Sequence, residues 1–243
     1  MIDVAFLGSE VRPAQTAVVI DVLRATSTIT LALASGYERV LVAGSIEEAR
    51  TLRGPGRALA GEVRCAPAPG FDLGNSPEET LSPRGRELVL ATTNGAPAIV
   101  GAASVAGEVL AASMLNLAAV VQRLRGADDI LLVAAGTDGA VTLEDVYLAG
   151  RISAALQGER SDAARVAEAV AAAYRRPFDA LEASRGAIGL RREGLQSDIA
   201  FCAQESIVDT VPWLTATNDA IPVLTAGGSA ADSAAAIGAT RNA

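Results

Sequence analysis

The stretch of sequence that decides the fold is Ala17-Val18-Val19-Ile20-Asp21-Val22-Leu23-Arg24-Ala25-Thr26-Ser27-Thr28. Its apolar first half is typical of a buried strand, and this strand ends at the carboxylate of Asp21. A turn and the start of a helix follow, and they carry Arg24 and three hydroxyl side chains. A carboxylate can ligate a hard cation such as Mg²⁺, and an arginine beside the N–H groups of a helix N-terminus can hold an anion. This combination indicates phosphoryl chemistry at the end of the strand.

Apolar runs of strand length alternate with helical patterns along most of the chain, which is typical of βα units. The predicted strands are Ala17–Asp21, Arg39–Val42, Arg57–Ala60, Glu87–Ala91, Val109–Ala111, Ile130–Ala134 and Pro222–Leu224. The predicted helices are Ser27–Ala34, Ile46–Leu52, Ala96–Ala102, Leu115–Leu124, Thr142–Leu156, Ala163–Tyr174 and Phe178–Ala183. The predicted fold class is therefore α/β, with three α/β/α layers around a mainly parallel sheet. An organisation into two related α/β halves stays open.

The domain prediction treats residues 1–226 as a single α/β unit. A helical insert is expected at about residues 157–195, where the βα alternation stops. Residues 227–243 are small and weakly apolar, so that a loosely ordered C-terminal tail is expected there.

Composition excludes several kinds of site. The chain has 243 residues, a formal net charge of −8 and no histidine. The lack of histidine removes Ser-His-Asp and Cys-His catalysis, and all basic residues are arginine, which removes Schiff-base chemistry and a P-loop lysine. Acid–base work must then fall to carboxylates, tyrosine, cysteine or metal-bound water.

The same composition limits partners and location. An acidic protein lacks the basic face that nucleic acid binding requires. No apolar run approaches the ~20 residues of a membrane span, and Met1-Ile2-Asp3-Val4 does not resemble a signal peptide. We expect a cytoplasmic protein without a nucleic-acid or membrane partner, and a homodimer from the base rates of enzymes.

Three further polar segments are candidates for the site. The first extends from Gly61 to Pro77 and offers the side chains of Glu62, Arg64, Asp72, Asn75 and Ser76. The density of Gly, Pro, Asn and Asp in this segment is equally typical of a structured loop.

The second segment is Thr92-Thr93-Asn94-Gly95, in which Thr93, Asn94 and Gly95 form a possible anion nest, although Asn-Gly is also a common turn. The third contains Glu144 and Asp145 near a helix start, where acidic residues also favour the helix dipole.

The turns after Asp21, Ala91 and Ala134 follow predicted strands and are expected to converge at one sheet edge.

Taken together, these segments resemble the 2-phosphosulfolactate phosphatase family, which is known from coenzyme M biosynthesis. The two most specific matches are Asp21-Val22-Leu23-Arg24-Ala25-Thr26-Ser27-Thr28 and Gly70-Phe71-Asp72-Leu73-Gly74-Asn75-Ser76-Pro77. The matching segments come in the family's order over roughly residues 1 to 212. The resemblance implies Mg²⁺-dependent hydrolysis of the phosphate ester of a 2-hydroxy acid, most directly 2-phosphosulfolactate to sulfolactate and phosphate.

On this hypothesis the oxygen ligands of Mg²⁺ come from Asp21, Glu62, Glu144 and Asp145. Arg24 neutralises the phosphoryl oxygens, and Asp72 is the carboxylate available as general acid or base. The groups expected to bind the phosphate are Thr26, Ser27, Thr28, Asn75, Ser76, Thr93, Asn94 and Gly95. Arg64 or Arg185 would pair with the carboxylate or sulfonate of this small anionic substrate.

Several alternatives stay open at this point. Water could attack the phosphate directly, or Asp21 could form an aspartyl phosphate. The Asp-x-Asp-x-Thr pattern is absent because Leu23 occupies the second Asp position, and neither Cys65 nor Cys202 begins a Cys-x₅-Arg loop. A phosphatase for another phosphorylated carboxylic acid and a non-catalytic module that binds an anionic metabolite are the competing functions.

Overall fold

The computed structural model describes residues 1–218 and 221–227. The tail predicted for residues 227–243 therefore lies outside the described residues, except for Gly227. The strands are β1 Ile2–Ala5, β2 Thr16–Ile20, β3 Arg39–Ala43, β4 Arg57–Val63, β5 Ala66–Pro67, β6 Glu87–Ala91, β7 Glu108–Ala112, β8 Ile130–Ala134, β9 Pro212–Asn218 and β10 Ile221–Ala226. All seven predicted strands are present, and β1, β5 and β9 are additional.

The α-helices of the described residues include the seven predicted ones and two more. They are α1 Ala25–Ala34, α2 Ile46–Thr51, α3 Gly95–Val105, α4 Leu117–Leu124, α5 Leu143–Ala155, α6 Asp162–Ala173, α7 Pro177–Glu182, α8 Arg185–Arg192 and α9 Gln196–Cys202. The two that the sequence did not predict, α8 and α9, follow one another in the helical stretch after β8. Three short 3₁₀ segments precede or connect these elements.

One sheet of ten strands, in the order β1-β8-β2-β7-β9-β10-β3-β6-β4-β5, forms the centre of the fold. The block β1-β8-β2-β7 is parallel, and so is the block β3-β6-β4. The antiparallel pair β9 and β10 joins the two blocks. The predicted α/β class with a mainly parallel sheet is confirmed.

Helices α1 and α3 lie between the two parallel blocks and give both of them a common core. Every second residue of each strand points to this core, for example Val19 of β2 and Leu90 of β6, which share one apolar cluster with Ile29 of α1 and Ile99 of α3. The opposite face of β2 packs on α4 to α9, and the opposite face of β6 packs on α2. Helical layers thus cover both faces of the sheet.

This arrangement brings together strand ends that a flat sheet would separate. Between β2 and β6 the sheet contains three antiparallel strand pairings, so β2 and β6 run in opposite directions. Neighbouring strands rotate by about 20 to 25° each, and the shared helices hold the twisted blocks against each other. As a result Asp21, directly after β2, touches Gly95 at the start of α3, which follows β6.

Helices α5 and α6 pack closely at Gly150. An ideal Cβ at this position would lie 2.0 Å from the carbonyl oxygen of Ala167 in α6. We expect Gly150→Ala to lower the free energy of unfolding by about 1 to 3 kcal/mol, as overpacked cores do, when measured by urea denaturation. Gly101→Ala in α3 is the matched control, because its Cβ would find no atom closer than 4.0 Å, and it should stabilise the helix by about 0.5 to 1 kcal/mol. Equal effects of the two substitutions would refute this packing.

Candidate active site

A cleft of about 600 Å³ opens where β2, β4, β6 and β8 end, and α8 forms one of its walls. Residues from all three predicted turns line it, namely Asp21 after β2, Thr92, Thr93 and Asn94 after β6, and Thr137 and Asp138 after β8. The predicted convergence of these turns is confirmed, but they do not meet at one sheet edge, because β6 runs opposite to β2. Four other cavities on the described surface, two of them larger, are not lined by residues from these strand ends.

Asp21 sits on the floor of the cleft and is only 7% exposed. Its backbone carbonyl accepts hydrogen bonds from the N–H and the hydroxyl of Thr26, at 3.0 and 2.8 Å, which fixes the turn into α1. Its Oδ1 accepts the N–H of Ala25 at 3.3 Å. Oδ2 lies against Gly95, where an ideal Cβ would approach it to 2.4 Å. Gly95 therefore leaves room for the carboxylate at the start of α3.

Burial and a neighbouring carboxylate control the charge of this group. Desolvation, reinforced by Asp145, raises the pKa of Asp21 to about 8. Burial and the adjacent Glu144 likewise raise the pKa of Asp145 to about 8. Two such carboxyl groups cannot both ionise at little cost without a nearby cation.

Asp145 holds the framework of the cleft together. It is 3% exposed and accepts hydrogen bonds from the N–H of Val22 at 2.9 Å, the N–H of Gly136 at 3.1 Å and the hydroxyl of Thr142 at 2.8 Å. Three donors favour its ionised form. Asp145 thus ties the end of β2 to the end of β8 and lies behind the cleft wall.

Glu144 is buried beneath α8, and burial raises its pKa to about 7. An ideal Cβ at Gly186 would lie 2.3 Å from Glu144 Oε1, so the helix backbone contacts this carboxyl directly. Its Oε2 is buried without a hydrogen-bond partner. An acceptor without a partner in the interior is costly, which makes Oε2 available to a cation.

Glu62 links the loops after β4 and β6 by hydrogen bonds. Its Oε1 accepts the N–H and the hydroxyl of Thr93, at 2.9 and 2.8 Å, and its Oε2 accepts the N–H of Cys65 at 2.8 Å. The amide of Asn94 donates to the Thr93 hydroxyl at 3.1 Å, and its carbonyl oxygen accepts the N–H of Asp138 at 3.1 Å. These bonds connect the loops after β4, β6 and β8 into one rim.

Arg24 lines the cleft but its charge is already paired. Its Nη1 donates to Asp198 Oδ2 at 2.6 Å and its Nη2 donates to the carbonyl of Cys65 at 2.8 Å, and both charged side chains are at most 3% exposed. Ser76 donates its hydroxyl hydrogen to the other oxygen of Asp198 at 2.7 Å. Asp198 is thus the counter-ion of Arg24.

The three hydroxyls predicted to bind phosphate face away from the cleft. Those of Ser27 and Thr28 donate to the carbonyls of Val22 and Asn75, both at 2.8 Å, and Thr26 binds Asp21 as described. All three residues are fully buried, and none lines the cleft. Their side chains shape the loops around Asp21, so we do not include them among the phosphate ligands.

The Gly70–Pro77 loop contributes one group to the cleft. Asn75 lines it at 4% exposure, and its Oδ1 is buried without a hydrogen-bond partner. Asp72 does not line the cleft. Its Oδ2 accepts the N–H of Leu59 at 2.8 Å, and the carboxylate forms an ion pair with Arg53 at 3.3 Å. We therefore do not assign Asp72 a part in the chemistry.

Exposed arginines surround the mouth of the cleft. Arg64 comes from the turn after β4, where its φ is 53°, and Arg185 begins α8 and lies 3.8 Å from Asp138. Arg192, at the end of α8, was not among the predicted site residues. The signal for it was the spacing Arg185, Ile188, Gly189, Arg192, which places all four on one face of a helix; two glycines masked the helical pattern.

No group of three Asp, Glu, Cys or His side chains within residues 1–218 and 221–227 is arranged as a metal cluster. The predicted ligands are divided instead, since Asp21 and Glu62 line the cleft while Glu144 and Asp145 lie behind it. In the same part of the chain no helix combines the length and apolarity of a membrane span.

Comparison with known proteins relates the sequence of this chain to one family. The family described as 2-phosphosulpholactate phosphatase matches residues 6–217. A relative from Thermotoga petrophila, named probable 2-phosphosulfolactate phosphatase, is 41% identical over 225 residues, or 88% of this chain and 95% of the relative. One of the same name from Thermus thermophilus is 40% identical over 81% of this chain and 86% of the relative.

A third relative, from Methanothermobacter thermautotrophicus, is named 2-phosphosulfolactate phosphatase. It is 35% identical over 196 residues, which cover 80% of this chain and 84% of the relative. The matched region contains every strand end that lines the cleft, from Asp21 to Asp138, and also α8. The chain belongs to the 2-phosphosulfolactate phosphatase family.

Proposed function

We propose that this protein hydrolyses the phosphate monoester of 2-phosphosulfolactate, with Mg²⁺, to sulfolactate and inorganic phosphate. The observation that carries the proposal is the Asp21 carboxylate on the floor of a cleft whose mouth is lined by arginines. The names of the relatives support the same substrate.

The charge distribution suits a substrate with several anionic groups. The chain as a whole is acidic, with a net charge of −8, yet Arg64, Arg185 and Arg192 all face the cleft. Guanidinium groups bind carboxylate, sulfonate and phosphate oxygens through paired N–H donors. The local positive charge attracts the substrate that the overall charge would repel.

The oxygen donors around Asp21 fit Mg²⁺. Asp21 lines the cleft, and its Oδ2 accepts no hydrogen bond within the described residues. Asn75 Oδ1 and Glu144 Oε2 are buried acceptors without partners. Mg²⁺ is usually held by one or two carboxylates together with waters and substrate phosphate, rather than by a full set of protein ligands. Asp21 and Asn75, which both line the cleft, would hold it here, and Glu144 Oε2 behind the cleft is a further oxygen without a partner.

A bound Mg²⁺ would supply positive charge to the phosphoryl oxygens. Asp21 is the carboxylate at the reacting centre. It either accepts a proton from the attacking water and passes it to the sulfolactate oxygen as the ester P–O bond breaks, or attacks phosphorus itself, displaces sulfolactate and forms an aspartyl phosphate that water then hydrolyses to phosphate. Arg24 lines the floor beside Asp21, where Asp198 and the Cys65 carbonyl hold its guanidinium group in place. Glu62 and Asn94 hold the loops around this centre rigid.

The proposal is tested by measuring inorganic phosphate released from racemic 2-phosphosulfolactate and from 2-phospholactate, with Mg²⁺ and with EDTA. We expect release that is fastest from 2-phosphosulfolactate and is lost with EDTA. Unchanged release in EDTA would refute the role of Mg²⁺. Ligand-induced stabilisation without any phosphate release would indicate the non-catalytic binding module instead.

A further inference from the structure

Helix α8 presents one face to the cleft along its whole length. The cleft is lined by Arg185, Ile188, Gly189 and Arg192. The last three follow Arg185 by three, four and seven residues, so that all four lie on the same side of the helix. Arg185 and Arg192 are therefore two helical turns apart, which corresponds to about 10 Å along the axis.

The first turn of α8 lies beside the reacting centre. Arg185 is 3.8 Å from Asp138. At Gly186 the helix backbone contacts the carboxyl of Glu144, which interacts electrostatically with Asp21. Arg185 is thus the arginine of α8 that lies closest to the carboxylates of the floor.

The last turn of α8 lies at a different corner of the cleft, beside Cys65. An ideal Cβ at Gly189 would be 3.1 Å from the Cys65 sulfur. Burial raises the pKa of the Cys65 thiol, and Glu193, the residue after Arg192, is close enough to contribute to that effect. Arg64 precedes Cys65 in the chain and also lines the cleft. Arg192, in the same turn of α8 as Gly189, and Arg64, next to Cys65 in the chain, therefore line the same part of the cleft.

The guanidinium groups of these two arginines are available to bind an anion. Within residues 1–218 and 221–227, neither Arg64 nor Arg192 has an ion pair or a side-chain hydrogen bond, and both are exposed. Arg191 differs, because it forms an ion pair with Glu182 and does not line the cleft. Glu62 and Glu193 are acidic side chains near Cys65, and both carboxylate oxygens of Glu62 already accept hydrogen bonds from Cys65 and Thr93.

We infer that Arg192, together with Arg64, forms a second anion subsite that recognises the sulfonate of the substrate at the corner of the cleft beside Cys65. The inference rests on the proposed function and deepens it. The sulfonate takes no part in the chemistry, so this contact is made equally in the ground state and the transition state. Such a contact changes KM and leaves kcat unchanged.

The test compares Arg192→Gln with the wild type on 2-phosphosulfolactate and on 2-phospholactate, which lacks the sulfonate. We expect KM for 2-phosphosulfolactate to rise about 10-fold or more, as for a lost charged hydrogen bond, with kcat unchanged. KM for 2-phospholactate should stay at the wild-type value. Arg191→Gln removes the same charge from the adjacent position of the same helix and should leave both substrates unaffected.

An equal rise of KM for both substrates, or no change for either, would overturn the subsite. Calorimetric binding of sulfolactate and lactate supplies a readout that needs no catalysis. We expect Arg192→Gln to weaken sulfolactate binding selectively. If the wild type binds sulfolactate in this way but releases no phosphate from any substrate, the proposed function fails while the subsite stands. If phosphate is released but Arg192→Gln binds sulfolactate like the wild type, the subsite fails alone.

Discussion

Asp21→Asn should reduce phosphate release from 2-phosphosulfolactate by about 1000-fold or more, in the range seen when a reacting acid–base or charge-stabilising group is removed. The substitution keeps the shape of the side chain and the Oδ1 acceptor for the Ala25 N–H. It removes the negative charge at the one position of the floor where the substrate phosphate and Mg²⁺ are proposed to meet. The measurement is kcat/KM at saturating Mg²⁺.

The fold should survive this substitution. Because burial and Asp145 raise the pKa of Asp21 to about 8, the folded state loses stability as pH rises from the ordinary range of an aspartate toward 8. A neutral asparagine avoids that loss, so the melting temperature of the metal-free variant at pH 7 should equal or exceed that of the wild type.

Asp72→Asn is the matched control for this experiment. The sequence suggested Asp72 as a general acid or base, but the structure has it bound to Arg53 and to the N–H of Leu59, outside the cleft. We expect it to retain activity close to the wild type. Near wild-type turnover in Asp21→Asn, or loss of activity in Asp72→Asn alone, would refute our assignment of the reacting carboxylate.

Asp198→Asn is the second substitution with a large expected effect, in this case on the free energy of unfolding. Asp198 is the buried counter-ion of Arg24, and together they connect the turn after β2, the turn after β4, the loop at Ser76 and α9. Removing one partner leaves a buried guanidinium charge without compensation, which costs about 3 to 5 kcal/mol. Urea denaturation of the variant should show a loss of unfolding free energy of this size.

An exposed pair supplies the comparison. Arg176 and Asp179 form an ion pair on the surface of α7, three residues apart. Solvent screens such pairs, so Asp179→Asn should leave the denaturation midpoint unchanged. If Asp198→Asn were as mild as Asp179→Asn, the buried pair would not hold these four segments together.

The sequence predicted those parts of the fold that depend on local pattern. The strand from Ala17 was recognisable because four apolar residues precede a carboxylate. In contrast, β1 spans four residues and includes the charged Asp3, and β9 begins at Pro212, so neither carries the pattern of a central strand. Helix α8 was hidden by Gly186 and Gly189, which weaken a helical prediction. They are present because the helix packs against Glu144 and Cys65.

The chemistry of the site was predicted in outline, and its internal bonding was not. A hydroxyl at a helix start can bind an anion or a backbone carbonyl, and the sequence is the same in both cases. In the structure Ser27 binds the carbonyl of Val22 in the preceding turn, and Thr28 binds the carbonyl of Asn75, which is distant in the chain. Similarly, Arg24 could be expected to face a phosphate, but its partner Asp198 lies 174 residues further along the chain.

The most direct test of the central claim is the position of metal and product in the cleft. Crystals grown with Mn²⁺, in place of Mg²⁺, and sulfolactate should show an anomalous peak at bonding distance from the Asp21 carboxylate. The sulfolactate should lie in the same cleft, with its sulfonate at Arg64 and Arg192. A metal bound away from Asp21, or sulfolactate bound outside this cleft, would contradict the account.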